Sequence, residues 1–304
     1  MAGRRGFMER PKALTASIVL GLGAVSFALW LLVMSPGTVV AEGGGANSAW
    51  SDDFDMSSGM VRAEGGGANS AWSDDFNGGA LNSKFWVVSN GSAPGAISNQ
   101  HQGYFTPANV SVSNGYLVLK LTQQTGTVGT NSSGVISYGG QVRSRRTYGY
   151  GTYTWTMRMS STASTPTGTG SADSGSVSAG FTYVNNSRTE IDFEFPADSI
   201  DTLYLVNWLN PNPAANPSPN DETYSTMAGL KVADAFHTYK FVWQPGRIDY
   251  FVDGSFQVSH TTNVPSAPAY FLMNHWGTDS TNWGGPATVG DTRYLYIDSV
   301  SYSP

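Results

Sequence analysis

An all-β sandwich of antiparallel strands is the fold that the sequence predicts. Three observations carry it: short runs in which apolar and polar residues alternate, turn dipeptides between those runs, and the lack of a long amphipathic helix pattern. The runs fall at 110–112, 116–121, 151–159, 190–195, 204–207, 239–243, 248–252 and 294–300. Between them, Asn114-Gly115, Pro245-Gly246 and Asp253-Gly254 supply the residues that tight turns require, at the spacing of antiparallel meanders and sandwiches. Residues 234–237 leave room for a single helical turn.

Composition supports the same class. With 304 residues and 40% hydrophobic content the chain can bury a sizeable core, as one large all-β domain or two small ones. Only 12% of residues are charged, against roughly 25% in an average soluble domain, so the surface is polar and largely uncharged. A net charge of −6, with no basic cluster beyond the amino terminus, leaves nothing to neutralise a phosphate backbone. Nucleic acid is thereby excluded as a partner, and a neutral polymer fits better. The absence of cysteine removes disulfide scaffolds, thiolate metal sites and cysteine nucleophiles together.

The amino terminus carries an export pattern. Arg4, Arg5, Arg10 and Lys12 precede an uncharged segment, 13–34, and Val39-Val40-Ala41 offers small residues before a cleavage point. Residues 1–41 therefore read as a signal peptide cleaved after Ala41, or as an anchor, since 13–34 is long enough to tether the chain in a membrane. In both cases the folded part lies outside the cytoplasm, extracellular or periplasmic. The segment 41–54 recurs identically at 63–76. Two identical copies do not make a repeat architecture and read as a recent local duplication or a mis-set start. The second copy runs on into the domain, so 42–62 is assigned as a linker and 63–304 as the folded domain.

One strand carries the candidate chemistry. In Thr189-Glu190-Ile191-Asp192-Phe193-Glu194-Phe195, acidic and apolar residues alternate, which places three carboxyl groups on one face of a strand and the apolar residues on the other. Three adjacent carboxylates repel one another and cost stability unless a ligand or a reaction uses them. A solvated polar face is the bland alternative, but concentrating three of the chain's 22 acidic residues in five positions argues against it. A calcium or magnesium site is another, though successive carboxylates on one straight strand wrap an ion poorly. The Cα atoms of Glu190 and Glu194 should lie about 13 Å apart, at roughly 3.3 Å per residue. Side chains leaning inward bring the two carboxyl groups to roughly 5–6 Å, the separation at which one acts as nucleophile and the other as acid and base on a single glycosidic bond with retention. Asp192 sits between them and can hydrogen-bond to one, pushing their protonation states apart.

Taken with other stretches, this row resembles glycoside hydrolase family 16, in particular its bacterial lichenase-like branch. Glu190-Ile-Asp-Phe-Glu194 is similar to the unbulged form of the family signature. Further likenesses, in order along the chain, are Tyr148-Gly-Tyr-Gly-Thr-Tyr153, Phe181-Thr-Tyr183, Phe236-His-Thr-Tyr239 through Trp243-Gln-Pro-Gly246, Val252-Asp-Gly254 and Met273-Asn-His-Trp276. The resemblance covers roughly 73–304. It implies a concanavalin-like β-jelly-roll of two antiparallel sheets with a concave cleft, acting on a β-1,3-1,4-glucan or a related β-glucan as an endo-hydrolase, as a monomer and with no cofactor for catalysis. It implies Glu190 as nucleophile, Glu194 as general acid/base and Asp192 as the assisting acid. Arg143, Trp155, Phe181, Tyr183, Asn207, Asn274, Trp276 and Trp283 would contact sugar. A structural calcium away from the cleft would be held partly by backbone oxygens and by Asp298.

Aromatic and amide side chains suit such a site, because pyranose rings offer C–H faces to flat rings and hydroxyls to amides and guanidinium groups. Tyr239 and Trp243 read as core, and His237 and His275 as packing or surface residues. The sequence departs from the lichenase pattern at Gln141-Val142, where an acid and an aromatic residue usually precede the arginine, and in a Pro- and Asn-rich insertion at 210–220 that could reshape one end of the cleft. A transglycosylase on the same fold and a non-catalytic carbohydrate-binding sandwich are the alternatives.

Overall fold

The computed structural model describes residues 62–64, 70–198 and 201–304. The leader 1–41 with its 13–34 segment, the first copy of the duplicated segment, and the linker up to residue 61 lie outside the described residues. In chain order the strands begin with β1 (Arg62–Glu64), β2 (Ala71–Asp74), β3 (Trp86–Val88), β4 (Gly91–Ser92), β5 (His101–Phe105) and β6 (Val110–Ser113). There follow β7 (Tyr116–Val128), β8 (Asn131–Tyr148), β9 (Gly151–Ser161), β10 (Ser176–Val184), β11 (Thr189–Pro196) and β12 (Thr202–Trp208). The last are β13 (Glu222–Ala228), β14 (His237–Gln244), β15 (Arg247–Val252), β16 (Ser255–His260), β17 (Ala269–Gly277) and β18 (Thr292–Ser303).

Two antiparallel layers form a jelly roll. One runs β3-β8-β17-β10-β11-β12-β13. The other runs β6-β7-β18-β9-β14-β15-β16. Strand β8 belongs to both. Its first half pairs with β7, and in parallel with β5, while its second half pairs with β17 and β3. The strand changes layer at Gly139-Gly140, where a Cβ on Gly139 would stand 2.1 Å from the His275 carbonyl oxygen, so only glycine admits this approach. The predicted turns fall where the sequence put them. Asn114 and Gly115 (φ 53° and 81°) and Asp253 and Gly254 (φ 49° and 76°) have the paired positive φ of a two-residue hairpin turn.

The second copy of the duplicated segment is built into the domain. Trp72 and Phe76 are buried in the core, and the Trp86 indole donates to the Asp74 carboxyl at 2.7 Å. β1 starts at Arg62, one residue inside the span assigned to the linker.

Between the layers lies a core rich in aromatic rings: Tyr153, Trp155, Phe193, Tyr239, Phe241, Trp243, Tyr250 and Phe271 are all fully buried. Trp155 stacks on Phe271 with centroids 4.3 Å apart and meets Phe193 edge-on. Its place here corrects the expectation that it lines the cleft, because β9 turns this side chain inward between the two layers. Trp155→Ala should therefore act on stability, lowering the free energy of unfolding by about 3–5 kcal/mol. Chemical denaturation checks this, and a midpoint within error of wild type would contradict the core placement.

Candidate active site

Directly opposed residues of neighbouring antiparallel strands share a face, so the register fixes what surrounds the acidic row. On β10, Tyr183, Phe181 and Ala179 stand opposite Glu190, Asp192 and Glu194, and on β12 their partners are Trp208, Val206 and Tyr204. Next to β10, β17 continues the face with Tyr270, Leu272, Asn274 and Trp276. β8 adds Arg143 and Gln141, while β13 adds Glu222, Tyr224 and Thr226 beyond β12. The ladders through β11 show no register shift, so the strand is unbulged from Glu190 to Glu194. Ile191, Phe193 and Phe195 point into the core and are fully buried, as the alternation predicts.

Seven layer-forming strands thus present one concave face on which carboxyl groups sit among aromatic and amide groups. Burial raises the Glu190 carboxyl to about 7, against a hydrogen bond from the Ser187 hydroxyl that favours its charge. Glu194 is pushed up to about 8, first by burial and then by Glu190 and Glu222, with the Trp283 indole pulling the other way. Asp192 is held well above the usual carboxylate range by burial and by all three neighbouring carboxyl groups. Glu222 is raised to about 7 by burial. The three strand acids are therefore all raised, and each carboxylate that forms makes the next harder to form.

Of the other expected contacts, Phe181, Tyr183, Asn274, Trp276 and Arg143 all lie on this face. Arg143 stacks its guanidinium 4.5 Å from the Tyr270 ring centroid. Trp276 packs with Val177 and Phe105, so one side of its ring is committed to the wall. Trp283, in the loop after β17, meets Tyr204 edge-on at 4.8 Å beside Glu194. Asn274 Oδ1 is buried with no protein partner, an acceptor that a ligand hydroxyl can satisfy.

Asn207 is a correction. It stands opposite Ile191 on the core face, fully buried, and donates to the carbonyls of Thr262 and Asn263 while its Oδ1 bonds to His260 Nδ1 at 2.7 Å. A polar residue tolerates that face because each amide atom finds a partner; its work is to pin the loop after β16. The departure at Val142 also has no bearing on the cleft, since Val142 faces the core opposite Met273. Gln141 does face the cleft and donates to Ser89 Oγ at 2.8 Å. His275 is fully buried, bonded to Ser160 and to the Leu119 carbonyl, and His237 bonds to Asp253.

Glu222 is the principal residue that the sequence reading missed. A lone Glu in a Thr- and Ser-rich stretch after an insertion gives little signal; only the pairing of β13 with β12 brings it to the cluster. Asp298 lies on β18, away from this face, with its carboxyl accepting from Ser299. Among the described residues no group of three or more His, Asp or Glu side chains could hold a metal ion. A calcium ion takes six to eight oxygens, so beside the Asp298 carboxyl the remainder would have to come from backbone carbonyls and water.

A concanavalin-like jelly roll with a carboxyl-lined concave sheet is the class that fold and site define. The model of glycosyl hydrolases family 16 matches residues 97–293, and the chain belongs to that family. Over 131 residues it is 34% identical to a β-glucanase of Bacillus amyloliquefaciens, covering 41% of this chain and 52% of that protein. It is 33% identical over 132 residues to a β-glucanase of Paenibacillus polymyxa, covering 42% and 52%. The chain thus spans about half the length of the curated relatives it matches. The solved β-glucanase of Bacillus licheniformis superposes with a TM-score of 0.59 at 27% identity, covering 77% of this chain and 98% of that one.

Proposed function

We propose that this chain is an endo-acting, retaining β-glucanase that hydrolyses β-1,3-1,4-glucan or a related β-glucan by double displacement. The observation that carries the reading is the unbulged row itself, which sets Glu190 and Glu194 on one face of β11 with burial raising their carboxyl groups to about 7 and about 8. Between these values a population exists in which Glu190 is a carboxylate and Glu194 a carboxylic acid. Glu190 attacks the anomeric carbon as Glu194 gives its proton to the departing glycosidic oxygen, and a glycosyl ester forms on Glu190. Glu194, now a carboxylate, takes a proton from the water that attacks the same carbon, and Glu190 leaves. Two inversions give retention. Asp192, between the two, is pushed toward its protonated form by burial and by the carboxyl groups around it, which limits the repulsion along the row. Phe181, Tyr183, Trp208 and Trp283 offer sugar-facing rings, while Arg143, Gln141 and Asn274 offer polar contacts. The export pattern of 1–41 supports action outside the cytoplasm, either secreted or tethered.

The pH profile tests the mechanism. Below about 7 Glu190 gains a proton and loses its nucleophile; above about 8 Glu194 loses the proton it must donate. The expected kcat/KM on soluble mixed-linkage glucan is bell-shaped with its maximum between these values. Reducing-end release measured from pH 4 to 10 reads it, with product sizing to separate hydrolysis from glycosyl transfer. A profile flat across this range would count against the paired-carboxyl chemistry, and no reducing ends from any β-glucan would remove the reading altogether.

A further inference from the structure

The turn that precedes the acidic strand has a conformation its residues do not choose unaided. Asn185, Asn186 and Ser187, between β10 and β11, have φ of 52°, 56° and 58°. Left-handed residues normally occur singly, and only Asn tolerates the region readily among these types. The restraint comes from the insertion at 210–220. The Asn210 amide donates to the Ser187 carbonyl at 2.9 Å, and the Asn210 side chain donates to the Asn186 carbonyl at 2.8 Å. In return the Asn186 side chain donates to the Ala215 carbonyl at 2.7 Å. A reciprocal capping box between Ser218 and Asp221 closes the insertion where it enters β13. These residues grip the turn.

What the grip presents is a fully buried hydroxyl. Ser187 Oγ donates to Glu190 Oε2. The other ionisable groups facing Glu190 are Tyr183 on β10, Asp192 and Glu194 on its own strand, and Glu222 on β13. Among them the Glu222 carboxyl disfavours a charge on Glu190, as burial does. Ser187 is the neighbour that favours it.

We propose that Ser187 is a positioning residue for Glu190, its hydroxyl held by the 210–220 insertion so that Glu190, and not Glu194, is the carboxylate of the pair. This rests on Glu190 being the nucleophile. The contact to Oε2 sets the charge of the attacking carboxylate, since a donor bond is made to the ionised form.

Ser187→Ala and Ser187→Gly test this together. Glycine adopts φ near 58° without strain, so the second variant keeps the turn while losing the hydroxyl. Both should lose about tenfold in kcat/KM at pH 6, where Glu190 must hold its charge against protonation, and change little above pH 8. Ser187→Gly should melt no lower than wild type. Carbon-13 NMR of Glu-labelled protein should show the Glu190 carboxyl titrating at higher pH in both variants, a readout that needs no activity. Superimposable pH profiles for wild type and both variants, or a loss uniform across pH, would overturn the assignment. Should the wild type release no sugar from any β-glucan, the proposed function falls, and the NMR titration alone decides whether Ser187 sets the charge of Glu190.

Discussion

Glu190→Gln is expected to lower turnover on soluble mixed-linkage glucan by about 10⁴-fold or more while the protein keeps its fold. The amide is nearly isosteric with the carboxyl group but cannot form the glycosyl ester, so the first displacement has no nucleophile. Stability should move the other way. Glu190 has its folded-state value raised to about 7 from an ordinary 4.5, so the native state binds more protons than the unfolded chain between those pH values. Stability contributed by this group is therefore lost as pH rises through that window and is lowest above it. The amide carries no such loss. At pH 8 the variant should melt at or above wild type, read by calorimetry, while at pH 4 the two should converge. Turnover close to wild type would take Glu190 out of the chemistry, and a collapsed melting transition would mean that the variant had tested folding instead.

How far the sequence discloses this site depends on periodicity. Strand β11 was legible because acid and apolar residues alternate on an outward-facing and a core-facing side, and nothing but a strand makes that pattern useful. Strands β10 and β17 were not, because they are buried on both faces and mix Ser, Gly, Asn and aromatic residues without a period of two. The long β8 was hidden for a different reason: its first half is polar and it changes layer at Gly139. Face assignments failed where only pairing decides them. Asn207 and Trp208 are neighbours in one strand, yet the first sits over Ile191 in the core and the second over Glu190 in the cleft. Trp155 and Trp276 have equally aromatic surroundings, and it is the layer each strand joins that sends one into the core and the other to the cleft wall. Glu222 was invisible until β13 was placed, since no local pattern ties it to residues some thirty positions earlier.

Glu194→Ala should separate the two displacements that a single carboxylic acid serves. On mixed-linkage glucan the variant is expected to lose about 10²- to 10⁴-fold in kcat/KM, because the departing sugar hydroxyl is a poor leaving group without a proton donor. An aryl β-glycoside of a suitable oligosaccharide, whose phenolate departs unaided, should still glycosylate Glu190 at a rate within about tenfold of wild type, since that step no longer uses the proton. Breakdown of the ester then becomes slow, for water has lost its base, and a burst of phenolate equal to the enzyme concentration should precede the steady state. Azide needs no base and should restore turnover as a glycosyl azide, whose anomeric configuration reports directly on the geometry of the row. A β-azide means two inversions and places Glu190 and Glu194 within reach of one carbon; an α-azide means one inversion and would overturn the double-displacement reading. The pairing of Trp283 with Glu194 adds a check on position, because the alanine variant removes the carboxyl that faces that indole and should shift its fluorescence without loss of the fold.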